Sequence, residues 1–360
     1  MKIVFLLNTM DFGGAERTVL ALADYFKNDY DVSILCMSGS SAFEIPEGIN
    51  LINLNIKDSF NNGIERIINA FSRTLSIRKT IRQINPDIVY CIMGINAKYL
   101  IGDFNRKYKL FVSERSNPKL YDEKTKKWLN RIYNKCDGIV FQTKRVSDLY
   151  PDLPDGKKTI IPNAVSNKAA YELSWEGRGS KRISAIGRLV TEKDYPTLLE
   201  AFSIFLKDHK DYVLEIYGDG DERSKIQGII NDKGLDQAVV LKGSRPDALE
   251  CASQTECYVL SSICEGMPNT LMEAMAIGMP CVSTDCEYGP AELIVNEKNG
   301  LLVECKAPEQ LAMSLSRMTD DDEFASKCSA NAFKDLKKHS ILSIGIKYKE
   351  FFRAILEGKK

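Results

Sequence analysis

Two doubly wound α/β domains of Rossmann-like type are what this sequence predicts, on three observations. Short apolar, β-branched runs alternate with helical patterns, as in βαβ units with a parallel sheet. A turn-rich break interrupts the alternation near residues 165–181, and a second series of the same kind follows it. At 360 residues the chain is long for one core and comfortable for two of about 150–180 residues each.

The first run, 3–7, is shorter than the roughly 7–15 apolar residues of a signal-peptide core and lacks a small-residue cleavage site, so it reads as a buried first strand. Strand candidates at 32–37, 49–54, 88–92, 110–113, 138–142 and 159–161 complete the first series, with helical segments between them beginning at 15–26. The break opens on Pro162-Asn163-Ala164-Val165 and runs through 174–180. Beyond it come 183–187, 213–217, 239–243, 257–260, 280–284 and 300–303. A last helical segment, 340–356, has no strand after it and must pack as an appendage. The expected division is a first domain over 1–165, a second over 178–338, and a terminal helix, 339–360, crossing back to the first.

Composition is that of an ordinary globular chain, 44% hydrophobic and 27% charged. The formal net charge of zero hides an asymmetry, because residues 57–135 hold 17 Lys/Arg against 7 Asp/Glu. Such a field suits an anionic partner, a phospholipid surface, a diphosphate or a nucleic acid, and equally a solvated basic face. No RNA- or DNA-binding motif accompanies it, so no nucleic acid is expected. The ten cysteines form no C-x-x-C pair and no zinc spacing, which points to reduced, buried thiols and a cytoplasmic setting. No run approaches the 18 or so apolar residues of a membrane span, so any membrane contact is expected to be peripheral.

Candidate functional residues are densest in 261–278, SSICEGMPNTLMEAMAIG. A strand ending near Leu260 leads into Glu265-Gly266-Met267-Pro268, and a helix is expected from Pro268 or Asn269, since proline is tolerated in a first helical turn. Glu265 then precedes the helix and Glu273 lies on it one turn in, so these carboxylates can face one ligand from different heights. Backbone N–H groups of Asn269, Thr270 and Leu271, at the helix start, make a ready phosphate site. Open α/β sheets bind ligands at this carboxyl end of their strands. Gly13-Gly14, after the first strand, lets backbone approach a ligand, and serves equally well as a tight turn. Gly218-Asp219-Gly220 begins like a dinucleotide fingerprint, but Arg223 stands at the third glycine position, which disfavours a nicotinamide cofactor.

The run E-G-M-P-N-T-L-M-E resembles the E-x7-E motif of glycosyltransferase family 4, which has the GT-B fold, two Rossmann-like domains facing a central cleft. The likeness extends to Gly13-Gly14-Ala15-Glu16-Arg17, to Gly187-Arg188-Leu189 with Glu192-Lys193, to Gly218-Asp219-Gly220, to Lys242-Gly243-Ser244, to Gly289-Pro290 and to Asn299-Gly300-Leu301-Leu302-Val303. The resemblance implies a retaining glycosyltransferase with a UDP-sugar donor. It implies Glu265 at the donor sugar hydroxyls, Glu273 at the ribose, and Arg188 and Lys193 at the diphosphate, where fixed cations stabilise charge developing on the leaving group. Gly13, Gly14, Lys242, Gly243, Ser244 and the run from Gly266, Met267 and Pro268 to Asn269, Thr270 and Leu271 complete the implied donor site.

Glu114-Arg115 resembles the acidic-plus-His or acidic-plus-Arg motif of members that extend lipid-linked sugars, with Arg115 where some relatives have histidine. The only histidines, His209 and His339, fall in no motif. The family therefore implies a front-face path in which the leaving phosphate accepts the proton of the incoming hydroxyl. A D-x-D metal motif is missing from the expected places, and turnover without metal or cofactor is expected.

Residues 64–75 set Ile64, Ile67, Ile68, Phe71 and Leu75 on one helical side, with Arg66 and Arg73 nearly opposite. Residues 124–136 set Trp128, Leu129, Ile132, Tyr133 and Cys136 against Lys124, Lys127, Arg131 and Lys135. Basic amphipathic helices of this kind bind membrane interfaces, and a Rossmann helix packed on its own sheet looks the same. The first is similar to the basic helix of members that extend polyprenyl-diphosphate-linked oligosaccharides. That resemblance implies an acceptor diphosphate held by Arg66, Arg73, Arg78 and Lys79, and a peripheral place on the inner face of the cell membrane. Two other readings share the architecture, a UDP-sugar 2-epimerase and a non-catalytic sugar-nucleotide-binding protein. The scarcity of histidine opposes the first and the Glu265, Glu273, Arg188 and Lys193 set the second.

Overall fold

A computed structural model describes residues 1–10, 14–39, 41, 43–56, 63–115, 118, 121–165 and 175–358, with 63–68 described by backbone alone. Two compact units result, residues 1–166 with 341–360, and residues 167–340.

The first unit is a parallel sheet of seven strands, β1 (Lys2–Leu7), β2 (Asp31–Cys36), β3 (Ile49–Asn53), β4 (Ile88–Cys91), β5 (Lys109–Glu114), β6 (Gly138–Phe141) and β7 (Lys158–Ile160). Their order is β3-β2-β1-β4-β5-β6-β7. Between them run α1 (Gly14–Phe26), α2 (Gly63–Ile84), α3 (Glu123–Asn134) and the single turn α4 (Lys144–Ser147). Central strands such as Ile88–Cys91 are buried at every position, which is why they read as unbroken apolar runs rather than alternating ones.

The second unit is a parallel sheet of six, β8 (Arg182–Ile186), β9 (Val213–Tyr217), β10 (Val239–Gly243), β11 (Cys257–Leu260), β12 (Cys281–Thr284) and β13 (Leu301–Val303), ordered β10-β9-β8-β11-β12-β13. Its helices are α5 (Tyr195–Phe205), α6 (Arg223–Asp232), α7 (Ala248–Ala252), α8 (Asn269–Ala276), α9 (Pro290–Leu293), α10 (Pro308–Asp320) and α11 (Asp322–Leu336). In each sheet the strand order reverses once, between β1 and β4 and between β8 and β11. Such a switch point opens a crevice at the carboxyl ends of the strands.

The final helix, α12 (Ile341–Leu356), packs on the first unit. Ile341, Ile344, Tyr348 and Phe352, spaced three and four apart, form its buried stripe. Phe352 meets Phe111 edge-on at 4.6 Å between ring centroids, and the Tyr348 and Tyr90 hydroxyls lie 3.1 Å apart.

The two amphipathic helices part ways. α3 buries Leu129, Ile132 and Tyr133, so its apolar side is core. α2 turns part of its apolar side outward. Phe71 and Leu75 are 66% and 51% exposed, while Ile77 and Ile81 are buried. Arg78 Nε donates to the Tyr99 carbonyl at 2.7 Å and Arg73 Nη1 donates to the Tyr99 hydroxyl at 3.3 Å. Of the two arrangements open to such a helix, the described side chains of α2 thus show apolar exposure, and those of α3 show packing.

Candidate active site

The carboxyl ends of β8 and β11, on either side of the second unit's switch point, carry the residues that the sequence singles out. After β8 the chain makes a single 3-10 turn, Thr191–Lys193, which presents Lys193. After β11 it runs through Ser261-Ser262 to Glu265 and into α8. Two bonds stitch these segments together. The Ile263 N–H donates to the Glu192 carbonyl at 2.9 Å, and the Ser261 hydroxyl donates to the Lys193 carbonyl at 2.8 Å.

Lys193 and Glu265 meet at the seam, the ammonium 2.5 Å from Glu265 Oε1 with side chains 18% and 12% exposed. The Ser262 hydroxyl donates to the same oxygen at 2.6 Å, and the Thr284 hydroxyl holds the Ser262 carbonyl at 2.5 Å. Glu265 is therefore oriented by two donors on Oε1, while Oε2 accepts no hydrogen bond among the described residues. An ammonium has three donors, so Lys193 can keep this carboxylate and still reach an anion. Arg188 is exposed at the start of the same loop and makes no ion pair or side-chain hydrogen bond among the described residues.

α8 begins at Asn269 behind Pro268, as the sequence predicts. Its first intrahelical bond runs from Met272 N to the Pro268 carbonyl, so the amides of 269–271 precede the ladder at the positive end of the helix dipole. The Thr270 hydroxyl accepts from Tyr258 at 2.8 Å, Leu271 and Met267 are buried, and Glu273 is 8% exposed one turn into the helix. A fixed carboxylate, two cations and a helix amide end thus gather at the carboxyl ends of adjacent strands, an arrangement whose donors and charges suit anionic and hydroxyl-bearing groups.

Residues 176–335 match the family model for glycosyl transferases group 1, and residues 12–168 match that for glycosyltransferase family 4. The chain is a glycosyltransferase built of these two domains. A Campylobacter jejuni enzyme, an α-1,4-N-acetyl-D-galactosaminyltransferase acting on a diacetylbacillosamine-containing glycan on undecaprenyl diphosphate, is 25% identical over 100% of this chain and 99% of its own length. A second from the same organism, a 4-α-N-acetylgalactosaminyltransferase acting on N-acetylgalactosamine-N,N'-diacetylbacillosaminyl-diphospho-undecaprenol, is 25% identical over 93% of this chain and 96% of its own. Among solved structures, S. aureus TarM with fondaparinux, α-GlcNAc-glycerol and UDP superposes with a TM-score of 0.82 at 16% identity, covering 98% and 99% of the two chains. Anabaena HepE with UDP and glucose superposes at 0.80 with 15% identity, covering 98% and 100%. The fold is that of these GT-B proteins.

Within this glycosyltransferase the other residues singled out from sequence make contacts of their own. The Lys242 ammonium lies 3.0 Å from Glu215 Oε1, a carboxylate 6% exposed that also accepts from Tyr217 at 2.6 Å. Gly243 accepts the Gly218 N–H at 2.9 Å and Ser244 is exposed. Burial pushes the Glu215 carboxyl up, but hydrogen bonds from Tyr217 and Lys242 outweigh it and leave it below the ordinary carboxylate value. Its stabilising contribution is therefore present above the unfolded carboxyl pKa of about 4.3 and lost as pH falls through the lower folded value. Lys242→Met should cost roughly 1–3 kcal/mol at neutral pH, about 2–9 °C in melting temperature. Melting curves of both proteins at pH 7 and pH 3.5 should show that gap closing in acid.

In the first unit, Glu114 is 3% exposed and accepts from Tyr133 at 2.7 Å and Tyr150 at 3.1 Å, with Tyr121 at 3.5 Å. Arg115 donates to Asn163 at 2.6 Å, Ser113 at 3.0 Å and Thr18 at 3.2 Å. The pair expected to face an acceptor instead braces the interior, a buried carboxylate saturated by phenols and a guanidinium joining α1 to β5 and the segment after β7. Gly14 starts α1, and Lys79 is exposed on α2. Gly13 and the Arg66 side chain lie outside the described residues.

Ser261, Ser262 and Thr284, which position the Lys193–Glu265 pair, escaped the motif reading. The available signal was the serine pair directly after a buried strand, where a hydroxyl is well placed to orient a neighbouring loop. Neither histidine is near: His209 stacks on Phe205 at 4.1 Å and bonds Asp320 at 2.9 Å, and His339 is buried after α11.

Proposed function

We propose that this glycosyltransferase moves a hexose or N-acetylhexosamine from a UDP-sugar to a polyprenyl-diphosphate-linked glycan, with retention and without a metal, peripherally at the inner face of the cell membrane. The observation that carries the reading is the Lys193–Glu265 contact, which sets a carboxylate for sugar hydroxyls beside a cation for the diphosphate. On this reading Arg188, Lys193 and the amide end of α8 hold the diphosphate, Glu273 the ribose, and Glu265 the sugar. The acceptor hydroxyl attacks the anomeric carbon as its bond to the phosphate oxygen breaks, and the proton passes to that departing oxygen. With both histidines engaged elsewhere, this front-face route needs no separate base. Full-length similarity to the Campylobacter jejuni enzymes supports the acceptor class. Exposed Phe71 and Leu75 on α2 support contact with a membrane interface. No helix among the described residues is long and apolar enough to cross a membrane.

The test is nucleotide release from a panel of UDP- and GDP-sugars, with and without a polyprenyl-diphosphate-linked glycan, in EDTA. Release should need a UDP-sugar and acceptor together, persist in EDTA, and give an α-linked product by NMR. Turnover of donor alone would favour the epimerase, and loss in EDTA would sink the metal-free mechanism.

A further inference from the structure

The first unit has its own switch point, and a cavity of about 210 Å³ lies there. Asn8 comes from the end of β1, Ser38 from the end of β2, and Asn96, Lys98 and Tyr99 from the 3-10 segment Gly94–Tyr99 after β4, with Arg73 reaching in from α2. The segment is held firmly, since Tyr99 accepts from Arg78 and Arg73 and a Cβ on Gly94 would fall 2.4 Å from the Tyr133 hydroxyl.

Two features call for a ligand. Asn96 is 2% exposed, yet its Nδ2 has no hydrogen-bond partner among the described residues, and a buried amide left so costs about 1–3 kcal/mol. Arg73 and Lys98 also stand on the wall, with no carboxylate among the described lining residues. Amide, hydroxyl, ammonium and guanidinium donors around one space match a group made only of acceptor oxygens.

We infer that this cavity is the subsite for a phosphoryl group of the acceptor, gripped by Asn96, Lys98 and Arg73. The inference rests on the acceptor class proposed above and assigns its diphosphate to the strand-end cavity of the first unit, with Asn96 and Lys98 taking the place expected for Arg78 and Lys79. Arg78 donates to the Tyr99 carbonyl and does not line the cavity, so it acts as a positioning residue for the wall.

Calorimetric titration of inorganic pyrophosphate into the full chain tests it, using Arg188→Ala/Lys193→Ala as the parent so that the second unit contributes no cationic grip. The parent should bind pyrophosphate, and adding Asn96→Asp, Asn96→Ala or Lys98→Glu should weaken binding at least tenfold with melting curves that still show a folded chain. A farnesyl-diphosphate-linked sugar should compete, and phosphatidylglycerol vesicles should not. No binding by the parent, equal binding by the three variants, or displacement by the vesicles would overturn the assignment. These readings stand whether or not the chain transfers sugar, so failure of the subsite and failure of the proposed reaction are separable.

Discussion

Replacing both Arg188 and Lys193 by alanine is expected to lower kcat by roughly 10⁴-fold, since one preorganised group that stabilises developing charge is worth about 10²–10³ in turnover. The singles should not be equal. Arg188 is exposed and uncommitted, so its loss removes a cation and little else. Lys193 also anchors Glu265, both side chains being less than one-fifth exposed. Lys193→Ala removes the cation, leaves a mostly buried carboxylate without its counter-charge, and frees that carboxylate to turn. It should therefore be the worse single variant. The double should fall short of the product of the singles, because both act on one leaving group. Lys193→Arg keeps the charge but replaces a compact ammonium with a planar fork, and should restore activity only in part. Single-turnover rates at saturating donor, alongside melting curves, separate chemistry from folding. A double variant within tenfold of the parent enzyme would falsify the proposed grip on the diphosphate.

The thirteen strands among the described residues lie within a residue or two of the runs marked from sequence, for a physical reason. A strand covered on both faces must be apolar at nearly every position, and such runs bounded by turn formers survive in one dimension. The start of α8 was equally legible, because Pro268 restricts where a helix can begin. Contacts set by strand order were not legible. Lys242 and Glu215 are neighbours only because β10 lies beside β9. Asn8, Ser38 and Asn96 meet only because β1 sits between β2 and β4. The rotation of α2 stayed open for a related reason: periodicity finds an apolar stripe but not what the opposite side meets, here the Tyr99 carbonyl and hydroxyl. The burial of Glu114, expected at the acceptor by resemblance, was not legible because its three tyrosines come from 7, 19 and 36 residues further along the chain.

Gly289→Ala is the second large effect, and it shows how a residue outside the reacting set can govern it. Gly289 has φ of 114°, a region that side chains rarely enter, and precedes the short helix α9. A Cβ there would fall 2.2 Å from the Gly266 carbonyl oxygen and 2.8 Å from Pro268 Cδ. Since real Cβ atoms keep beyond 3.0 Å, the Gly266–Pro268 loop has to move by about 1 Å, and a misplacement of that size can cost about 10²-fold in rate. That loop carries Glu265 at one end and the start of α8 at the other. Backbone strain adds roughly 1–3 kcal/mol of destabilisation. Gly234→Ala supplies the matched control, because Gly234 has φ of 64° after α6 and nothing lies within 4 Å of its added Cβ. Both variants should melt several degrees below the parent, but only Gly289→Ala should lose about 100-fold in kcat at a temperature where both are folded. Equal kcat values in the two would mean that the loop tolerates displacement, and that Glu265 does not depend on the close packing of Gly289 for its position.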